Sequence, residues 1–266
     1  MAFIDDITPL LITYDEIQNI ERTLARLAWA RRIVVIDSGS TDGTLDVLAR
    51  TPGVEVHHRA FDSFAGQCNF GLTLVTSEWV LSMDADYELS DALITELRAL
   101  RPADGQAGFR ARFIYRIHGR PLRGSLYPPR SVLYRVAGAR YENEGHGHRI
   151  RIDGSVSDLK APIYHDDRKP LARWLKSQLG YAAREAAHLL AAPRPSLSRA
   201  DRLRLMGWPA PILVFLYVLV AKGALLDGPA GWFYAFQRLF AEVLLALELL
   251  DRRLSGATTS HPGAAG

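Results

Sequence analysis

The chain has 266 residues, 48% hydrophobic and 23% charged, which excludes wholesale disorder and allows one large domain or a domain with an appendage. A single cysteine, Cys68, excludes an intrachain disulfide framework and fits a reducing compartment. The net charge of +3 hides a split: residues 1–107 hold 8 Arg/Lys against 17 Asp/Glu, and residues 108–266 hold 24 against 12, so the second half suits nucleotide phosphates, nucleic acid or anionic lipid.

The opening, MAFIDDITPL, has neither a basic n-region nor a long apolar run. It predicts no secretory signal and a chain that stays in the cytosol. Ile7 to Thr13 reads as a first strand. Ile17, Ile20, Leu24 and Leu27 recur at helical spacing. Ile33 to Ile36 is a β-branched run that predicts a buried parallel strand. Ser40-Thr41-Asp42-Gly43 predicts a helix start, with Leu45, Leu48 and Ala49 inward. Val54 to Val56 is a third strand, 64–76 a helix, and Trp79 to Met83 a fourth strand. Ser90 caps a helix carrying Leu93, Ile94, Leu97 and Leu100. This alternation predicts an α/β fold with a parallel sheet, in which ligands sit at the carboxyl ends of the strands.

The pattern changes over 107–165. Phe109, Ala111, Phe113 and Tyr115 alternate with Arg110, Arg112, Ile114 and Arg116, which predicts a mixed extension of the sheet. A helix follows over 170–192, with Leu171, Trp174, Leu175, Leu179, Ala182, Ala186 and Leu189 on one face. Ser198 to Asp201 resembles a capping box. Residues 208–226 are largely apolar, and Pro229 opens a last helix running to about 254. The small, polar stretch 255–266 reads as a disordered tail. The expected domains are therefore 1–165, 166–254 and that tail.

Asp84-Ala85-Asp86 is the sharpest chemical signal. Carboxylates at i and i+2 of an extended segment face the same side and repel unless a cation lies between them. Oxygen donors suit Mg²⁺ or Mn²⁺ shared with substrate phosphates. Asp37, after the second strand, suits a nucleobase imide or ribose hydroxyl, and equally a helix cap. The early strands lead into neither a G-x-G-x-x-G nor a P-loop, which argues against a dinucleotide oxidoreductase and a P-loop enzyme.

Four ordered stretches carry a resemblance: Thr13 to Glu16, Val34 to Thr44, Gln67 to Gly71, and Trp79 to Asp86. Together they resemble glycosyltransferase family 2, most nearly the branch acting on lipopolysaccharide core or exopolysaccharide precursors. Tyr164-His165 and the helix with Tyr181-Ala182-Ala183 are similar to that branch too. The resemblance implies a GT-A (Rossmann-like) fold, with 1–106 binding the nucleotide and 107–165 the acceptor. Thr13, Tyr14, Glu16, Asp37, Ser38 and Gln67 would hold the nucleoside of a UDP-sugar. Asp84 and Asp86 would hold a divalent metal on the diphosphate, with His165 completing its ligands and Arg130 clamping the phosphates. Glu144, opening the run Glu144-Gly145-His146-Gly147-His148, is the expected base. His146 and His148 are further candidate ligands or phosphate contacts. Two departures stand out: Asp15-Glu16 replaces the usual Asn-Glu, and Tyr87 replaces a third acid, with Glu88 one step later.

The implied activity is inverting, metal-dependent sugar transfer to a lipid-linked or lipopolysaccharide acceptor. Alternatives are transfer to polyprenyl phosphate, a nucleotidyltransferase, and an anionic-lipid or nucleic-acid binding module; nucleic acid is not the expected partner. Trp208 to Ala221 is apolar but shorter than the ~20 residues a span needs. The last helix carries Arg238, Glu242 and Glu248 as a polar stripe, and residues 160–206 hold 10 Arg/Lys against 4 Asp/Glu. These predict peripheral attachment to an anionic surface, the cytoplasmic face of the inner membrane, or a helical hairpin packed on the protein.

Overall fold

The computed structural model describes residues 2–144 and 147–258, without the side chains of 144, 147, 148, 257 and 258. The chain forms two units: Met1–Pro121 with Ser125–Lys169, and Leu122–Gly124 with Pro170–Gly266.

In the first unit, β1 (Ile7–Thr13), α1 (Ile20–Ala25), β2 (Ile33–Asp37), α2 (Thr44–Arg50), β3 (Val54–His58), α3 (Phe64–Leu74) and β4 (Trp79–Asp84) alternate. There follow β5 (Tyr87–Leu89), α4 (Asp91–Ala99), β6 (Gln106–Ala111), β7 (Phe113–Ile117), β8 (Arg120–Pro121) and β9 (Arg130–Arg135). β10 (Ala139–Glu144), β11 (Gly147–Ile152), β12 (Ser155–Asp158) and β13 (Ile163–His165) complete the strands. The main sheet has the order β12-β6-β9-β4-β1-β2-β3. β4, β1, β2 and β3 run parallel, and β9 is antiparallel to β4 and β6. A smaller sheet has the order β5-β13-β7-β8, and β10 and β11 form a hairpin.

Alternating residues of β1, β2 and β4 feed two cores. Leu11, Val35 and Leu81 join Leu24, Leu27, Leu93 and Leu97 on one face. Leu10, Val34, Ile36 and Val80 join Ala65, Cys68 and Leu72 of α3 on the other. Burial on both faces explains the unbroken apolar runs of these strands. β3 is an edge strand and mostly exposed.

Three expectations are corrected here. The helix expected near Thr41 starts at Thr44, because Gly43 turns the chain at φ 96°. The alternating run from Phe109 to Tyr115 is not one strand: it breaks at Arg112, β6 staying in the main sheet and β7 entering the smaller one. The last helix reaches Thr258, so 255–258 is helical, while 259–266 lies outside the described residues.

The second unit is helical: α5 (Leu171–Ala191), α6 (Arg199–Leu205), α7 (Pro209–Leu216) with a π-helical turn Tyr217–Ala221, a 3-10 turn Ala224–Asp227, and α8 (Gly228–Thr258). The expected capping box forms, with Ser198 Oγ accepting from Asp201 N and Asp201 accepting from Ser198 N. A small core gathers Ala186, Leu189, Leu197, Leu245 and Leu249. Of the face expected on α5, only Ala182, Ala186 and Leu189 are buried. Among the described residues no single helix is long and apolar enough to cross a membrane; Pro209–Ala221 and Ala224–Gly256 pass that test only together, bent by 65°.

Gly71 lets α3 approach the main sheet. A Cβ there would stand 2.5 Å from Leu10 Cδ1 and 3.2 Å from Ile36 Cγ1. Gly71→Ala gains up to about 1 kcal/mol of helix propensity but overpacks the core at a cost of about 1–3 kcal/mol. We expect a net loss of stability in urea unfolding. A gain would show that Leu10 has room to turn away.

Candidate functional site

The register of the parallel strands decides which side chains share their carboxyl edge. Thr13 lies opposite Asp37, and Ile12 opposite Asp84. Thr13, Asp37 and Asp84 therefore meet at the edge where open α/β sheets bind ligands.

The loops after β1 and β2 interlock. Asp15, at φ 53°, donates its N–H to Ser40 Oγ at 2.8 Å and accepts from Thr41 N at 2.7 Å. Glu16 N–H donates to Thr44 Oγ1 at 2.7 Å, and Ile17 N–H to Asp42 at 3.1 Å. Asp37 is 1% exposed, and its carboxylate accepts from Gly39 N, Ser40 N and the Ser40 hydroxyl. It thus braces its own loop. Gln67 Nε2 lies 3.3 Å from Ser38 Oγ and donates to the carbonyls of Arg59 and Ala60. Thr13 is buried, with its hydroxyl unpartnered, whereas Tyr14 is 53% exposed.

The acid pair differs from expectation. β4 ends at Asp84, and Ala85–Asp86 turn the chain into β5. The two carboxylates do not share one extended segment, so the i, i+2 argument fails. Asp84 is half-buried at the strand end. Asp86 is buried, with Oδ2 3.1 Å from Nε2 of His165, which the β13–β5 pairing sets opposite Tyr87. Burial alone would raise the Asp86 carboxyl, but the charges of His165 and Lys169 outweigh it and hold it well below the usual range. His165 is held above its ordinary value in turn: Asp86 overcomes the effect of burial.

Arg130 opens β9, its guanidinium 4.9 Å from the centre of the Tyr127 ring. Burial works against its charge, but Tyr127, Tyr87 and Asp84 more than compensate. Tyr87 hydrogen-bonds the Tyr127 hydroxyl, and the following Glu88 pairs with Arg22 and Arg116. Glu88 is thus a tie between elements, not a third acid of the pair.

The sequence reading missed the segment after His165. Asp166 is fully buried and accepts from Arg22, Arg168 and Gly119 N, while its own N–H donates to the Asp86 carbonyl. Lys169 Nζ lies 2.7 Å from Glu16 and 3.4 Å from Asp167. Asn19 donates to Glu16 at 2.9 Å and to Asp167 at 3.3 Å. Burial raises the Glu16 carboxyl to about 7; Lys169 opposes this and Asp86 adds to it. For Lys169, Asp86, Glu16 and Asp167 outweigh burial and hold it above its usual value. The available signal was the acid–acid–base–base run Asp166 to Lys169 directly behind a short strand.

Glu144 ends β10, its backbone opposite Gly147. Its side chain, His146, and the side chain of His148 lie outside the described residues. Glu142 pairs with Arg151 at 2.9 Å and Arg140 at 3.3 Å, which hold its carboxyl below the usual range.

Among the described residues no three His, Cys, Asp or Glu side chains converge as a metal site, so Asp84, Asp86 and His165 do not form a closed ligand set. Asp86 Oδ1 and His165 Nδ1 are nevertheless buried without hydrogen-bond partners. An open, ionised carboxylate oxygen fits a Mg²⁺- or Mn²⁺-type ion that takes one or two protein donors and fills its shell with phosphate and water.

A family model described as Glycosyl transferase family 2 matches residues 10–150, more than half of the chain. An uncharacterized glycosyltransferase of Rickettsia bellii is 28% identical over 138 residues, covering 51% of this chain and 47% of that protein. One of Rickettsia prowazekii is 31% identical over 101 residues, covering 38% and 34%. The chain thus spans less than half the length of these relatives. A solved mannosyltransferase of Pyrobaculum calidifontis, in complex with GDP-Man and Mn²⁺, has a TM-score of 0.52 at 15% identity, covering 96% of this chain and 88% of that one. That likeness is one of fold.

Glu16 gives a pH prediction. Its folded carboxyl is raised from 4.5 to about 7, so the folded state binds more protons than the unfolded state between those values. The stability contribution is full below pH 4.5 and lost as pH rises towards 7. The loss is up to about 3 kcal/mol at 1.36 kcal/mol per pH unit. Denaturant midpoints across pH 4.5–7 should fall more in the wild type than in Glu16→Gln. Parallel curves would show that Lys169 keeps Glu16 ionised throughout.

Proposed function

The chain belongs to glycosyl transferase family 2 on a GT-A fold, and from that premise we propose that it is an inverting, metal-dependent glycosyltransferase. Its donor is a nucleotide sugar, a UDP-sugar. Its acceptor is a lipid-linked saccharide or lipopolysaccharide core, in the synthesis of envelope polysaccharide. The observation that carries this reading is the strand-end edge: Thr13 opposite Asp37, Asp84 opposite the neighbouring Ile12, and the partnerless Oδ1 of Asp86 just beyond.

In this reading each candidate residue takes one role. The β1 loop, with Thr13, Tyr14 and Glu16, takes the nucleoside. Asp37, Ser38 and Gln67 are positioning residues that fix this loop through hydrogen bonds. Arg130, next to Asp84, meets the diphosphate with a charge that is never lost. Asp86, with His165 and Asp84, would hold the divalent ion, which when bound neutralises charge on the leaving nucleoside diphosphate. Glu144 takes the proton from the acceptor hydroxyl as that oxygen attacks the anomeric carbon, and a single displacement inverts it.

Thermal shifts with UDP, GDP, CDP and dTDP, each with and without Mn²⁺, test the donor. A ligand at 100 times its Kd stabilises a fold by about 2.7 kcal/mol. We expect a Mn²⁺-dependent rise with UDP alone. A rise with GDP instead would keep the class and change the base. Asp86→Ala should lower sugar transfer about 100-fold or more, the scale of losing one charge-stabilising group. Full transfer by that variant without metal would overturn the mechanism.

A further inference from the structure

The helical unit turns large apolar side chains outward. Along α8, Trp232, Phe236, Phe240, Val243, Leu247, Leu250 and Leu254 follow at steps of three or four residues, each more than a third exposed. That spacing is one continuous helix face. On α7 and its π turn, Ile212, Leu213, Leu216, Tyr217 and Val220 do the same. Phe215 stacks on Phe236 at 5.7 Å and lies 6.4 Å from Trp232, so the two stripes join. Trp208, at the head of α7, is 74% exposed. Inside the unit, Ala182, Ala186, Ala210, Ala230, Ala235 and Ala246 are buried alongside Leu189, Leu197, Leu245 and Leu249. Burying a large apolar side chain is worth roughly 1.5–3 kcal/mol, so a unit built only for water would leave fewer of them outside.

Charge selects what covers this face. Residues 122–124 and 170–266 hold 12 Arg/Lys against 6 Asp/Glu, and Lys176, Arg194, Arg199 and Arg202 are exposed. A second copy would oppose this excess with its own. An anionic bilayer takes the apolar stripe and the cations together.

Length and bend select how it is covered. The helix Pro209–Ala221 spans roughly 20 Å at 1.5 Å per residue, short of the ~30 Å hydrocarbon core. Gly223 and Gly228 then take φ 76° and 59°, and the chain bends by 65°. At the bend, which also holds Lys222, Asp227 pairs with Arg123 at 3.2 Å, and such charges belong at headgroup level. We propose that this unit is a one-sided membrane anchor, with α7 and α8 lying in the plane of an anionic leaflet and their outward stripes in the acyl boundary. The inference stands on this unit alone, independently of the sugar-transfer reading.

The test is flotation of the full chain with vesicles of phosphatidylcholine, with or without phosphatidylglycerol. We expect flotation with the mixed vesicles, reduced by high salt. Brominated acyl chains should quench tryptophan emission. Val220→Ser/Leu247→Ser/Leu254→Ser changes only exposed positions. It should keep the melting transition and lose flotation about tenfold or more, since each buried CH₂ contributes about 0.8 kcal/mol. Trp208→Ser, at the most exposed of these side chains, gives a second reading without touching the packed helices; several-fold loss is expected. The proposal is overturned if the wild type floats with neither vesicle. It is overturned too if the serine variants float unchanged, or if light scattering shows a dimer that those variants dissociate with flotation intact.

Discussion

A fully buried carboxylate organises the first unit. Asp166 has no access to water, and an unpaired charge there would be prohibitively unstable, so the fold brings it Arg22, Arg168 and the Gly119 amide. Each partner comes from a different element: Arg22 from α1, Gly119 from the turn between β7 and β8, Arg168 from the chain after β13. The Asp166 amide meanwhile holds the carbonyl of Asp86. One desolvated charge therefore fixes α1, the smaller sheet and the turn carrying Asp86 against one another. Arg22 also reaches Asn19 and Glu88, so the loop behind β1 belongs to the same network.

Within this frame two acids are driven in opposite directions. Asp86 has His165 at 3.1 Å and the field of Lys169, and stays ionised. Glu16 shares its lysine with Asp167 and feels Asp86, so burial prevails and its carboxyl rises to about 7. Both acids are buried; the difference lies in how many acids each cation must serve. The result is a fixed negative charge at the end of β4 and a group behind β1 whose charge changes near neutrality. An ionised oxygen kept free of protons suits a cation, and the orphaned Oδ1 of Asp86 is where one has no competing donor.

The parallel sheet was legible in the sequence because its signal is local. β-branched runs such as Ile33 to Ile36 state both strand and burial, and Ser90 caps a helix where side-chain chemistry requires. What escaped was set by distant partners. A period of two does not say where a strand stops, so neither the break at Arg112 nor the turn at Ala85–Asp86 was visible. Asp37 presented as a ligand acceptor because the bonds that occupy it depend on how its loop closes. Asp166 and Lys169 drew no reading, because their partners, Arg22 and Glu16, lie about 145–155 residues earlier in the chain.

The last helix shows the same limit with a larger consequence. Arg238, Glu242 and Glu248 read as the polar side of an amphipathic stripe. The structure buries Glu242 instead, its carboxylate gripped by the guanidinium of Arg204 at 2.7–3.1 Å. A buried ion pair contributes little net stability against an apolar pair of equal volume, but it tolerates no other partner. It therefore sets the rotation of α8 about its own axis. With Glu242 turned to α6, the alanines and Leu245 and Leu249 follow it inward, and Trp232 to Leu254 must face out. The exposed apolar stripe is thus imposed by the helix's one buried acid, and turning it inward would leave that acid without its arginine.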